Sequence, residues 1–87
     1  MVYSTDYIMP SNKNIFIPQT IFQLQGVPVL FGVVKSGELK KGMTVTVDKI
    51  TLKIIKIDQG PTNLGISLSD IDITQAQNLV NKELEFI

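Results

Sequence analysis

The chain contains no cysteine, no histidine, no tryptophan and no arginine, and each absence removes a chemistry. Without Cys there are no disulfides, no thiolate nucleophile and no thiolate metal site. Without His the commonest metal ligand and the usual general base near neutral pH are gone. Without Arg there is no bidentate fork for phosphate or guanine: the eight basic residues are all Lys, each a point charge. Eight acids balance them, so the formal net charge is zero and no whole-molecule field steers polyanions toward the surface. Long apolar runs are also missing. The longest, residues 27–34, is eight residues and contains Pro28 and Gly32, far short of the roughly 20 residues of a membrane helix. The first residues show no basic cluster followed by an apolar run, and Asp6 stands where a signal peptide disfavours charge. The expected compartment is the cytoplasm, with no membrane partner.

What is present reads as a β protein. The 87 residues, 44% hydrophobic, suffice for one core, since a chain of this size buries about 60–65% of its unfolded surface. Twelve Ile and eight Val favour strands, and turn residues recur every few positions. Residues 1–12 are aperiodic, with Pro10-Ser11-Asn12 as a breaker, so residues 1–13 are expected to form a tail or edge segment and residues 14–87 the folded unit. Within that unit, residues 15–17 are a short extended piece expected to stop at Pro18. Residues 20–25 form a second piece ending at Gly26, and residues 28–35 a strand covered on both sides or entering the core.

Residues 43–48 alternate cleanly, with Met43, Val45 and Val47 on one face. Ile50, Leu52 and Ile54 are expected to point inward, and the phase slip at Ile54-Ile55 predicts a β-bulge. Residues 58–63 form a loop, residues 64–69 a strand and residues 83–87 a terminal strand. Residues 74–80 are the one helical stretch, with Thr74 as its expected N-cap. The pattern predicts an all-β fold, a small antiparallel barrel or sandwich of six or seven strands.

Several motifs invite chemical readings and fail them. Gly37-Glu38-Leu39-Lys40-Lys41-Gly42-Met43-Thr44 has the glycine spacing of a phosphate-binding loop, but Met43 replaces its Lys and a period-two strand follows where a helix is needed. Asn12-Lys13-Asn14-Ile15 resembles a guanine-reading Asn-Lys-x-Asp, but Ile15 takes the place of the Asp. Asp70 and Asp72, flanked by Ser69, Ile71 and Ile73, read as turn or cap residues before Thr74 rather than as a catalytic pair. Phe16, Phe22, Phe31 and Phe86 are potential stacking platforms for single-stranded nucleic acid. They lie in apolar strand patterns, however, and are expected in the core, while Tyr3 and Tyr7 sit in the tail.

Charge is segregated along the chain. Residues 35–56 carry Lys35, Lys40, Lys41, Lys49, Lys53 and Lys56 against Glu38 and Asp48, and residues 58–87 carry five acids against Lys82. The six lysines are the candidate binding residues, for nucleic acid or an acidic protein surface. The opposed thirds also suit head-to-tail self-association.

Residues 21–45 are similar to the second domain of translational GTPases such as elongation factor Tu, initiation factor two and the selenocysteine-specific factor. The family pattern G-x-V-x-S-G-x-L-K-x-G-(M/D)-x-V is matched by Gly32-Val33-Val34-Lys35-Ser36-Gly37-Glu38-Leu39-Lys40-Lys41-Gly42-Met43-Thr44-Val45. The V-G-I-x-L element has a counterpart in Leu64-Gly65-Ile66-Ser67-Leu68, whereas Asp72-Ile73 begins a closing element that lacks its glycine. The resemblance spans roughly residues 16–87. It implies a closed six- to seven-stranded β-barrel, with Leu39 plugging one end. It also implies a non-catalytic, cofactor-free binding module that contacts ribosomal RNA, tRNA or a translation-related protein. The 87 residues contain no GTPase domain, and of the family's tRNA-contacting surfaces only Phe22 and the Lys35–Lys41 turn have counterparts. The alternative reading, from a different class, is a protein–protein or self-assembling module unrelated to translation, using sheet edges left exposed by the short 58–63 loop.

Overall fold

Alternation of apolar and polar residues, interrupted by turns with positive φ, divides residues 14–87 into six strands and one short helix. In the computed structural model, which describes residues 13–87, these are β1 (Asn14–Leu24), β2 (Val27–Ser36), β3 (Thr44–Val47), β4 (Ile50–Gln59), β5 (Leu64–Leu68), α1 (Ile73–Gln77) and β6 (Leu84–Phe86). The tail reading of residues 1–12, Tyr3 and Tyr7 included, lies outside the described residues.

All strand pairs are antiparallel, and the order across the sheet is β3-β4-β5-β2-β1-β6. Thr44 at the start of β3 exchanges two hydrogen bonds with Ile87, just past β6, at 2.8 and 2.9 Å. The first and last strands of that order therefore meet, and the sheet curls into a nearly closed all-β barrel.

Inside, Phe16, Leu30, Val45, Leu52, Ile54, Ile66, Leu68, Leu84 and Phe86 converge from all six strands. Leu39, in the loop after β2, closes the end near Gln59 and Leu64. Leu79, after α1, sits at the opposite end beside Val47 and Leu52. Gly65 on β5 has Phe31 of β2 laid over it, so a Cβ there would stand 2.7 Å from the ring. Asn14 ties the rim together: its Oδ1 accepts from the Glu38 N–H and its Nδ2 donates to the Phe86 carbonyl.

The expected bulge is present. Ile54 pairs with Leu68 and Lys56 with Ser67, leaving Ile55 as the extra residue. As a result Ile57 turns toward the core, while Ile55 points outward and is exposed. Ile50, expected inside, is exposed beside the β3–β4 turn, because the core ends at Leu52.

Pro18 does not end a strand. It lies buried within β1, next to a second irregularity between Pro18 and Thr20 that leaves Gln19 extra. The ladder survives because Pro18 turns its missing N–H away from β2, and its carbonyl accepts from the Asn81 N–H at 2.7 Å. The loop expected at 58–63 is shorter than predicted, since β4 runs through Asp58 and Gln59, which pair with Gly65 and Leu64.

The helix begins one cap earlier than expected. Asp72, not Thr74, is the N-cap: its carboxylate accepts from the Gln75 N–H, and the Gln75 side chain accepts from the Asp72 N–H. After Gln77 the chain continues in tight turns to Lys82, with Leu79 N–H bonded to Ala76 O and Lys82 N–H to Leu79 O.

Candidate functional site

The six candidate lysines are all exposed, and their positions follow from the register. Lys53 stands on β4 opposite Thr44, and Lys56 follows the bulge on the same strand. Lys49 occupies the turn between β3 and β4, where Asp48 and Lys49 have φ of 51° and 70°. Lys40 and Lys41 belong to the loop before β3, which the bond from Gly42 N–H to Ile54 O (2.8 Å) holds against β4. These five therefore lie on or beside the β3–β4 hairpin.

Lys35 does not join them. Gln59, Leu64 and Gly32 stand level across β4, β5 and β2. Lys56 is three residues before that level and Lys35 three beyond it on a strand of the same direction, about 20 Å apart along the barrel. Lys35 instead meets Glu83 at 2.7 Å, with both side chains about half exposed.

Two lysines of the β4 side are also near carboxylates. Lys40 is 3.6 Å from Glu38, and Lys56 is 3.8 Å from Asp58 Oδ1; the other oxygen of Asp58 is buried and has no hydrogen-bond partner among the described residues. Exposed pairs of this kind contribute about 0–1 kcal/mol and exchange readily for another anion. Lys41, Lys49 and Lys53 make no ion pair among the described residues. What the arrangement offers is a set of exposed point charges along one hairpin, suited to a repeating anion rather than to one oriented ligand.

The carboxylates have structural roles. Asp72 is occupied as the helix cap and Asp70 sits in the preceding turn at φ 55°. Among the described residues no three His, Cys, Asp or Glu gather as metal ligands, and no helix is long and apolar enough to cross a membrane. The glycine-spaced loop at 37–44 leads into β3, so its backbone N–H groups are not gathered at a helix N-terminus.

Reading the sequence alone missed one surface. Phe16 and Phe86 are fully buried as expected, but Phe22 is 54% exposed, its ring edge-on to Phe31 at 5.4 Å on the outer face of β1–β2. Leu24, Val27 and Ile55 are exposed nearby and border a groove of about 620 Å³ that includes Lys56 and Ser67. Phe22 stands opposite Val29, on the face of β1–β2 that does not carry the inward Leu30, and there Val29 is buried while Phe22 is left exposed. The signal was available: in β2 both alternating sets of residues are apolar, so one set must face outward.

Compared with protein-family models, with curated proteins and with solved structures, the chain matches none. The barrel shape is shared by many unrelated proteins and does not by itself identify a translation-factor domain.

Proposed function

We propose that this chain is a non-catalytic binding module of the kind that the second domain of translational GTPases represents, and that its β3–β4 face binds an RNA backbone of ribosomal or transfer type. The observation that carries the reading is that Lys40, Lys41, Lys49, Lys53 and Lys56 are strung along or beside one hairpin, three of them without an ion-pair partner among the described residues. The resemblance of residues 21–45 to that family supports the class of ligand.

The mechanism is electrostatic. Each lysine that neutralises a phosphate releases counterions, and with no Arg in the chain the contacts carry charge but little base preference. A titration of tRNA and a ribosomal RNA fragment against the protein at increasing salt tests this. Affinity is expected to fall with a log–log slope near −0.7 per phosphate contacted on a single strand, and Lys53→Glu with Lys56→Glu should abolish it. Absent or salt-independent binding would refute the reading.

A further inference from the structure

The β1–β2 hairpin is longer than the strands that flank it. β6 covers β1 only from Asn14 to Phe16, and β5 covers β2 only from Leu30 to Gly32. The hairpin closes through Gln25 and Gly26, at φ 54° and 80°, a two-residue turn of the primed type. Such a turn makes Leu24–Val27 a hydrogen-bonded pair, so Phe22–Val29 and Thr20–Phe31 bond across the hairpin as well. Ile21 and Gln23 then turn their N–H and C=O groups away from β2. Among the described residues no backbone group meets them.

The two margins of the hairpin are not alike. On β2 the corresponding position near the tip is Pro28, which has no N–H to offer. On β1 the proline and the bulge of this margin, Pro18 and Gln19, lie toward its base, and neither a proline nor a charge stands at Ile21 or Gln23. Between Lys13 and Lys35 the chain has no charged residue at all. β1 itself therefore brings no like charge against a second β1, and the nearest charged side chain sharing a groove with Gln23 and Leu24 is Lys56.

We infer that this margin pairs with its own copy: β1 of one protomer and β1 of its partner join antiparallel about a twofold axis at Phe22. In that register Ile21 exchanges two hydrogen bonds with Gln23 of the other protomer, and Gln23 does the same with Ile21. Phe22 lies opposite its own copy in the close, non-bonded pair position. Leu24 faces Thr20 of the other protomer, and the exposed apolar outer faces of the two hairpins become one surface. The strand-to-strand contact is small, so the dimer forms and dissociates with concentration. It requires no RNA and uses none of the candidate lysines.

Light scattering after size exclusion, from micromolar to millimolar protein at low and high salt, is the test. The wild-type mass is expected to rise toward twice that of the chain with concentration, equally in both salts. Phe22→Lys and Phe22→Glu should each remain monomeric, since each places two like charges side by side, and a 1:1 mixture of them should recover the dimer. Gln23→Pro removes an N–H that the hairpin's own ladder does not use, and should be monomeric with an unchanged melting curve. That variant keeps the test decisive if a charge at Phe22 unfolds the hairpin. A wild type monomeric throughout, association lost in high salt, self-association of either charged variant, or a mixture that stays monomeric would overturn the pairing.

Discussion

Two hairpins of this barrel share a design and differ in what they carry. β1–β2 and β3–β4 both turn on two residues with positive φ, Gln25-Gly26 in one and Asp48-Lys49 in the other. Both contribute buried side chains, Leu30 and Leu52 among them. Yet residues 14–34 are free of charge, whereas β4 and the segments around β3 hold five lysines. The difference follows from neighbours. β4 is paired on both sides and β3 is closed by Ile87, so their outer faces are free to be polar and soluble. Among the described residues the β1–β2 ribbon has long margins without strand neighbours, and it carries no charge there.

The largest effect should separate the two faces of the β1–β2 ribbon. Leu30→Ala removes a side chain 1% exposed and should cost about 2–5 kcal/mol in chemical denaturation. Phe22→Ala on the outer face should cost less than about 1.5 kcal/mol, little more than its edge-on contact with Phe31. Equal losses would mean that the outer face is core too. Gly65→Ala comes next. The Phe31 ring must move to admit the new methyl, and a loss of about 1–3 kcal/mol is expected, with the fluorescence-silent outer cluster monitored by aromatic ring-proton NMR shifts.

A smaller effect sharpens the contrast between the turns. Lys49 holds φ 70° with a full side chain, so Lys49→Gly should raise stability by about 0.5–1 kcal/mol in thermal unfolding. The same change should lower the salt slope for RNA by about 0.7 if Lys49 contacts a phosphate. Smallest of all, Lys35→Ala breaks the exposed pair with Glu83 and should change stability by less than about 1 kcal/mol. It should weaken RNA binding less than Lys53→Ala does, because Lys35 lies away from the β3–β4 hairpin.

Much of the architecture was legible from residue order. The alternation at 43–48 yields β3 with Val45 inward and Thr46 outward, bonded across to Thr51 at 3.0 Å. The phase slip at Ile54-Ile55 is the bulge, and of the two aspartates expected to turn or cap, Asp70 sits in the turn and Asp72 caps the helix in extended conformation. Other expectations were local rules that neighbours overrode. Pro18 reads as a breaker until its missing N–H is seen to face an edge. Phe22 reads as core until the register sets it opposite Val29.

The amino-acid sequence by itself determined the strand-forming character, the turns, the bulge, the segregation of lysine from uncharged segments and the classes of chemistry the chain lacks. These follow from side-chain periodicity and composition, which act within a few residues. Only the tertiary structure decided which lysines share a hairpin, that Lys35 turns to Glu83, and that one margin of β1 has no strand beside it from Ile21 to Gln23 among the described residues. Those are relations between segments far apart in the chain, set by strand order and register, and no short-range pattern encodes them.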